Sequence, residues 1–162
     1  MTNDSSPHSS DEIEVQLGID ELFYSRTDPR GIIQAGNGIF RRVSQFEWPE
    51  LLGAPHKIVR HPDTPKAVFR ILWDAIQKGH PMGAYVKNRS KGGGYYWVFA
   101  VVLPIDGGYL SVRIKPSSAI FHKITKSYQS VSAWERAEKV DPELAASKLR
   151  ELAAQEGFSS YT

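Results

Sequence analysis

Residues 51–91 read LLGAPHKIVRHPDTPKAVFRILWDAIQKGHPMGAYVKNRSK, and this stretch decides the fold. Pro62 and Pro65 disfavour helical geometry at the residues that precede them. The RHPDTP segment at residues 60–65 is therefore predicted to be a tight, irregular loop. A helix is predicted to follow it, with Thr64 as the N-cap and Pro65 at the first helical position, where a missing N–H costs little.

The helix predicted after this loop has one apolar face. Its apolar residues recur at helical spacing, at Phe69, Leu72, Trp73 and Ile76. Gly79 is expected to end the helix, and Pro81 prevents it from continuing. A strand is predicted from Met82 onward, and it carries the Lys-Asn-Arg sequence of residues 87–89 toward a glycine-rich turn.

Further strands are predicted on both sides of this stretch. Residues 28–31 form a turn between two opening strands, and a short helix over residues 39–45 follows. The apolar run at residues 95–103 and the alternating run at residues 109–115 complete an antiparallel meander. The predicted class is α+β, a five-stranded antiparallel sheet with the helices of residues 39–79 on one face. A ligand pocket is expected between the helices and the sheet.

The flanking segments differ in composition from the central domain, predicted at residues 23–116. Residues 1–22 form an acidic tail or cap with six acidic residues and no Lys or Arg, and their first ten residues are expected to be disordered. Residues 117–162 are predicted to form a helical extension. Residues 41–91 hold ten basic and four acidic residues. This excess is either a solvated basic face or, in part, the surroundings of a bound phosphate group.

Composition excludes several functional classes. The chain has 162 residues, enough for one domain with a core, and its net charge of +2 does not indicate nucleic-acid binding. Neither a signal peptide nor an apolar run long enough to span a bilayer is visible, which predicts a cytoplasmic protein without membrane insertion. The absence of cysteine excludes disulfides, thiolate catalysis and iron–sulfur clusters. No catalytic triad or paired carboxylates can be argued from the spacings, so we expect no enzymatic activity.

The motifs GAPHKIVRHPDTP at residues 53–65 and VKNR at residues 86–89 resemble those of the flavin-binding PAS domains of bacterial aerotaxis receptors. The resemblance covers residues 27–116. It implies the PAS fold and FAD held without covalent attachment. It also implies a sensor of redox state or oxygen that signals through protein–protein contacts.

The resemblance also implies a set of cofactor-binding residues: Asn37, Arg60, His61, Asp63, Phe69, Trp73, Met82 and Asn88. The Asn88 amide is expected to face the pocket, whereas Lys87 and Arg89 alternate with it, point to the opposite face and reach solvent. Met82 stands where the aerotaxis receptors usually carry tryptophan, and a thioether would pack more loosely on the cofactor. Each residue also has an ordinary structural role open to it, in a turn, in the core or in bracing the loop.

Two other functions remain open from the sequence. One is a gas-sensing PAS domain that binds haem, with His61 or His80 as axial ligand. The other is a cofactor-free PAS module for dimerisation or docking. We expect a homodimer formed through the N-terminal segment, together with an unidentified signalling protein as partner. We expect no metal site, because His56 and His61 alone do not supply enough ligands.

Overall fold

The computed structural model describes residues 12–156, which form a five-stranded antiparallel sheet and five α-helices. The strands are β1 Leu22–Thr27, β2 Ile33–Gly36, β3 Met82–Arg89, β4 Tyr95–Ile105 and β5 Gly108–Ile114. The helices are α1 Gly38–Ser44, α2 Trp48–Leu51, α3 Lys66–Gln77, α4 Phe121–Glu138 and α5 Pro142–Gln155. A short 3-10 helix, His56–Val59, precedes the loop before α3. The α+β prediction is confirmed. The disorder expected for residues 1–10 lies outside the described residues.

The sheet order is β2-β1-β5-β4-β3, so the first and last strands in the chain are neighbours. Strands β3, β4 and β5 form the predicted meander, and β5 then pairs with β1, with Ser25 opposite Ser111. Alternate residues of each strand face the inner side of the sheet, where α1, α2 and α3 cover them. Phe23 of β1 and Phe40 of α1 are fully buried there and stack with ring centroids 5.8 Å apart.

The start of α3 differs from the prediction. Pro65, not Thr64, occupies the N-cap position, and α3 begins at Lys66. The Thr64 hydroxyl instead donates to the Lys87 carbonyl (2.8 Å) and accepts from the Lys87 N–H (3.0 Å). Because β3 is an edge strand, its outward backbone groups need partners, and the threonine side chain supplies both at this residue. The prediction of Thr64 as N-cap was therefore wrong.

The segment before β1 is an extended arm on the edge of the sheet. The Val15 N–H donates to the Tyr95 carbonyl (2.7 Å), at the part of β4 that extends past its pairing with β5. Leu17 of the arm is buried in the main core, but Ile13 is 77% exposed and Ile19 is 67% exposed. The arm thus contacts the domain through the Leu17 side chain, through the backbone of residues 13 and 15, and through the Glu12 carboxylate, whereas the side chains of Ile13 and Ile19 remain exposed.

The two C-terminal helices pack on different parts of the central domain. Helix α4 lies on the outer side of the sheet, where Phe121 contacts Trp97 with ring centroids 5.2 Å apart. Helix α5 follows Asp141, whose side chain caps it, and packs its Ala145 and Leu149 beside Val68 of α3. Within residues 12–156, no helix is long and apolar enough to cross a membrane.

Candidate functional site

A cavity of about 110 Å³ lies between the inner face of the sheet and α3. Its apolar wall combines the predicted face of α3 with residues of the strands and of the 3-10 helix: Val59, Phe69, Leu72, Trp73, Ile76, Val86, Ala100 and Val102. Trp73 also meets Tyr109 of β5 edge to face, with centroids 5.5 Å apart. This end of the cavity is therefore aromatic on both sides.

The polar lining of the cavity is basic and neutral, with no acidic residue. Its charged members are Arg60, Arg113 and Lys57, and its neutral members include Ser25, His56, Asn88 and Ser111. Such a lining accommodates electron-rich groups, because the donors outnumber the fixed acceptors.

Arg113 is the centre of a buried hydrogen-bond network. Its side chain comes from β5, only 4% exposed, and lies over the rings of Phe23 and Phe40. Its guanidinium donates to the Ser25 hydroxyl (2.9 Å) and to His56 Nε2 (2.6 Å). Because a guanidinium only donates, Nε2 of His56 must be the acceptor, and the imidazole is neutral with its proton on Nδ1.

Burial controls the charge states of this network. Burial lowers the pKa of His56 well below its ordinary value, and the neighbouring charge of Arg113 adds to the effect. Burial also lowers the pKa of Arg113, to about 10, so the guanidinium remains charged at neutral pH. The result is a buried cation whose side-chain hydrogen-bond partners, Ser25 and His56, are both neutral.

Within residues 12–156, two buried hydroxyls on the inner face of the sheet have no hydrogen-bond partner. They belong to Ser111, which lines the cavity, and to Tyr96, which lies opposite Asn88 on the neighbouring strand. The Asn88 amide is close enough to affect the Tyr96 hydroxyl but does not meet hydrogen-bond geometry. Buried polar groups are normally paired, so the unpaired Ser111 hydroxyl marks a place in the cavity where a ligand would supply a partner, whereas Tyr96 does not line the cavity.

Arg60 closes the cavity on the loop side. Its guanidinium lies 3.7 Å from the centroid of Phe69, a stacking contact, and its backbone forms an isolated bridge to Asn88 of β3. Burial lowers the pKa of Arg60 from its ordinary value. The loop therefore fixes the backbone position of this arginine, whereas its side chain is held mainly by the aromatic ring.

The structure brings half of the predicted site residues to the cavity. Arg60, Phe69, Trp73 and Asn88 all line it. Met82 does not, but packs near its end beside Leu72, Ile76 and Val102. Asn37 lies elsewhere, because its Oδ1 caps α1 by accepting from the Phe40 N–H and its Nδ2 donates to the Leu22 carbonyl.

His61 and Asp63 belong to a separate cluster on the other side of the loop. The Asp63 N–H donates to His61 Nδ1 (3.0 Å), which leaves His61 Nε2 to donate to the Glu12 carboxylate (3.0 Å). Burial and then the Lys87 charge lower the pKa of His61. Burial alone would raise the pKa of Asp63, but the hydrogen bond from Lys87 (2.9 Å) and the nearby positive charges, that of Lys87 first, together lower the pKa below its ordinary value.

Lys87 does point away from Asn88, as predicted, but it does not reach solvent. Its side chain is only 12% exposed because Asp63 and Glu12 bind its ammonium group, which also lies 4.5 Å from the centroid of the Tyr95 ring. The prediction failed because it considered the strand alone, without the loop and the arm that cover this face. Arg89 is exposed, and its guanidinium donates to the Ile58 carbonyl.

Several polar cavity residues were missed from the sequence, among them Ser25, His56, Ser111 and Arg113. On β1 and β5 the polar members lie at positions that strand alternation assigns to the buried face, and Ser25 falls two residues after Phe23. A polar residue at such a position is the signal that could have identified them. His56 stands next to Pro55 in the motif itself, and it was considered only as a metal ligand.

The histidines named as haem ligands do not line the cavity. His61 is bound to Glu12, and His80 lies in the exposed turn after α3. Among residues 12–156, no group of three His, Asp or Glu side chains is close enough to hold a metal ion.

The residue types that line the cavity suit a flavin, but the cavity is too small to hold one in this conformation. A flavin needs aromatic and apolar walls for its rings and donors and acceptors at its polar edge, and the cavity offers both. Pockets for ligands of this size measure roughly 300–1,000 Å³, and this cavity is smaller at about 110 Å³. Entry of the rings would therefore require α3 or the Arg60 side chain to move away from the sheet.

Comparisons with known proteins identify relatives of this arrangement. A family model described as the PAS fold matches residues 36–112. The chain is 35% identical to the aerotaxis receptor of Escherichia coli (strain K12) over 137 residues, which are 82% of this chain and 27% of the receptor. It is 25% identical to the nitrogen fixation regulatory protein of Klebsiella pneumoniae over 81 residues, 50% of this chain and 16% of that protein. The chain thus spans roughly a quarter or less of the length of both relatives.

Solved structures agree on the fold. The light-state structure of the LOV domain of the blue-light photoreceptor Aureochrome1 aligns with a TM-score of 0.54 and 24% identity. The alignment covers 66% of this chain and 90% of that domain. At this identity the likeness concerns the fold alone.

Proposed function

Because this chain contains a PAS domain, we propose that it is a sensor module that binds FAD without covalent attachment and reports redox state or oxygen. The observation that carries this proposal is the cavity under α3, where an aromatic wall faces unpaired and cationic polar groups. The similarity to the aerotaxis receptor over 82% of the chain supports the same reading.

Each part of the cavity has a role toward a flavin. Phe69 and Trp73 would pack on the rings. The Asn88 amide and the unpaired Ser111 hydroxyl would bond the polar ring edge, and Arg113 would favour any negative charge that reduction places there. Arg60 and Lys57 lie at the loop side, where the pyrophosphate of a dinucleotide would need cations.

Bound flavin would supply the electron-transfer chemistry, and the protein would supply position and electrostatics. Reduction adds electrons and a proton, which changes the hydrogen bonds required at the ring edge. Asn88 can respond by rotating its amide, since that group both donates and accepts. The proposed output is a change of contacts with another protein rather than catalysis.

A cofactor-free docking module is the second candidate, and the small volume of the cavity favours it. An absorption spectrum of the purified protein separates the two. We expect flavin bands and the release of FAD on denaturation. A protein that binds no flavin even after incubation with excess FAD would refute the cofactor proposal.

A matched pair of variants tests the site itself. Asn88→Ser removes an amide from the cavity, whereas Asn37→Ser removes one from the α1 cap and keeps a capping hydroxyl. We expect Asn88→Ser to lower flavin occupancy severalfold and Asn37→Ser to leave it unchanged. A second pair compares Trp73→Ala with Trp134→Ala, a tryptophan of α4 outside the cavity. Equal losses within either pair would refute the assignment.

A further inference from the structure

A second cavity, of about 400 Å³, lies on the side of α3 that is turned away from the first cavity. It is bounded by α3, by the edge strand β3 and by helices α4 and α5. Its wall is mostly apolar and aliphatic, with side chains that include Ile71, Ala75, Met82, Ile124 and Leu149. Small-molecule sites occupy roughly 300–1,000 Å³, so this cavity is large enough to hold a ligand without any rearrangement.

The strand edge gives the second cavity unpaired polar groups. The backbone groups of successive strand residues point in alternate directions, and Thr64 binds both groups of Lys87 from the side away from β4. Gly83 and Tyr85 lie four and two residues before Lys87, so they also turn their backbone groups away from β4, where both residues line the cavity. The Tyr128 hydroxyl donates to the Tyr85 carbonyl (2.8 Å). Within residues 12–156, no group bonds the Tyr85 N–H or either backbone group of Gly83.

An added β-strand does not suit this edge. Such a strand would have to bind the outward backbone groups of β3 in succession. The Tyr128 side chain already occupies the carbonyl of Tyr85, and Thr64 occupies both groups of Lys87. Only Gly83 keeps both of its groups available, which is too short a stretch for a strand. The cavity is therefore suited to a small molecule that needs one or two hydrogen-bond donors.

The charged side chains around the second cavity leave an excess of positive charge. The Asp74 carboxylate, which lines the cavity, pairs with Arg150 (3.4 Å) and Arg70 (3.5 Å). Glu143 pairs with the same two arginines, at 3.1 Å and 3.3 Å, so these four charges balance. Lys78 also lines the cavity, is exposed, and forms no ion pair with any of residues 12–156. Its ammonium is thus available to an anion at the rim.

We propose that the second cavity binds an aliphatic carboxylate, whose alkyl chain fills the apolar part while its carboxylate lies at the rim. The donors available to the carboxylate are the Lys78 ammonium and the unpaired N–H groups of Gly83 and Tyr85. The imidazole of His80 lines the same rim. This site is separate from the proposed flavin site, because the two cavities lie on opposite faces of α3.

Calorimetric titration of decanoate, below its micelle concentration, into the full chain tests the proposal. We expect saturable binding of one decanoate per chain with a dissociation constant below about 1 mM. Decyltrimethylammonium carries the same alkyl chain with the opposite charge, and we expect it to bind at least tenfold more weakly. The decanoate titration should give the same result with and without excess FAD.

Two matched pairs of variants locate the site. Ala153→Phe places a large side chain in the second cavity, whereas Ala154→Phe places it on the exposed side of the same helix. Lys78→Gln removes the rim charge, and Lys126→Gln removes a charge from the exposed side of α4. We expect Ala153→Phe to abolish decanoate binding, Lys78→Gln to weaken it about threefold, and both controls to stay within twofold of the wild type. Ala75→Leu fills the cavity from α3 and is the second test if Ala153→Phe folds poorly.

The outcomes separate this inference from the proposed function. No saturable binding by the wild-type protein, equal binding of the cation, or retained binding in both cavity-filling variants would overturn the inference. Dimerisation that Ala153→Phe abolishes, without decanoate binding, would assign the cavity to a second copy of the chain and would also overturn it. Absence of FAD binding together with specific decanoate binding would refute the flavin proposal and support this one.

Discussion

Because Arg113 is a buried cation, we predict that its replacement by methionine removes flavin binding without destabilising the domain. Burial lowers the pKa of Arg113 from its ordinary value to about 10. At 1.36 kcal/mol per pKa unit, keeping this guanidinium charged in the folded state costs about 3 kcal/mol. Methionine has a similar length and no charge, so the substitution removes that cost.

The substitution also loses two hydrogen bonds, to Ser25 and to His56, each worth about 1 kcal/mol. The two former partners do not become orphans, because the Ser25 hydroxyl already lies 3.0 Å from His56 Nε2 and can donate to it. The free energy lost with the two hydrogen bonds is thus slightly smaller than the free energy gained by removing the buried charge. We expect the free energy of unfolding of flavin-free Arg113→Met to rise by about 1 kcal/mol.

Denaturant unfolding at pH 7, on protein stripped of flavin, measures this change, and FAD titration of the same samples measures binding. Arg26→Met is the matched control, because Arg26 is exposed on the opposite face of β1, and it should alter neither quantity. We expect Arg113→Met to weaken FAD binding at least tenfold. A loss of stability of more than about 2 kcal/mol, or wild-type FAD affinity, would refute the reasoning.

Three further predictions concern stability and assembly. The folded-state pKa of His56 lies well below its ordinary 6.5, so below pH 6.5 the unfolded chain binds a proton that the folded chain does not. The free energy of unfolding should therefore fall by about 1.4 kcal/mol per pH unit as the pH decreases. It should fall less steeply in His56→Gln. Thr64→Val should cost about 2 kcal/mol, because it leaves the Lys87 N–H unpaired and leaves the Lys87 carbonyl with only the longer bond (3.4 Å) from the His61 N–H. Thr64→Ser should cost little, and equal losses in the two variants would contradict the bridging role of the hydroxyl. We also propose a homodimer through the arm, which light scattering should detect at tens of micromolar; changing the exposed Ile13 and Ile19 to aspartate should give monomers, and a persistent dimer would locate the interface elsewhere.

The sequence predicted those parts of the cavity that lie within one element. Phe69 and Trp73 follow from helical spacing, and Asn88 follows from its strand and the family motif. Arg113 and Ser25 could not be found this way, because they meet only when β5 pairs with β1, across 88 positions of sequence. Their chemistry is a property of the strand order, which periodicity does not specify.

The predictions that Thr64 caps α3 and that Lys87 reaches solvent were wrong for a related reason. Thr64 has the residue type and position of an N-cap, but an unpaired edge strand competes for its hydroxyl. Lys87 has the pattern of a solvated lysine, but the loop and the arm close over it. In both cases the prediction would hold for the isolated segment, but in the folded protein an interaction with a partner distant in sequence outweighs the local preference.

The pairing of β1 with β5 has a consequence for synthesis of the chain on the ribosome. Until β5 emerges, β1 has only the four-residue β2 to pair with, and the β3–β4 hairpin has no link to it. A nascent chain that stops at Gly108 therefore presents the edges of β1 and β4 that β5 would pair, and its Phe23 lacks the Arg113 side chain that lies over its ring. Closure of the sheet waits for nearly the whole domain, so truncated products should be recognised by chaperones and proteases as unfolded.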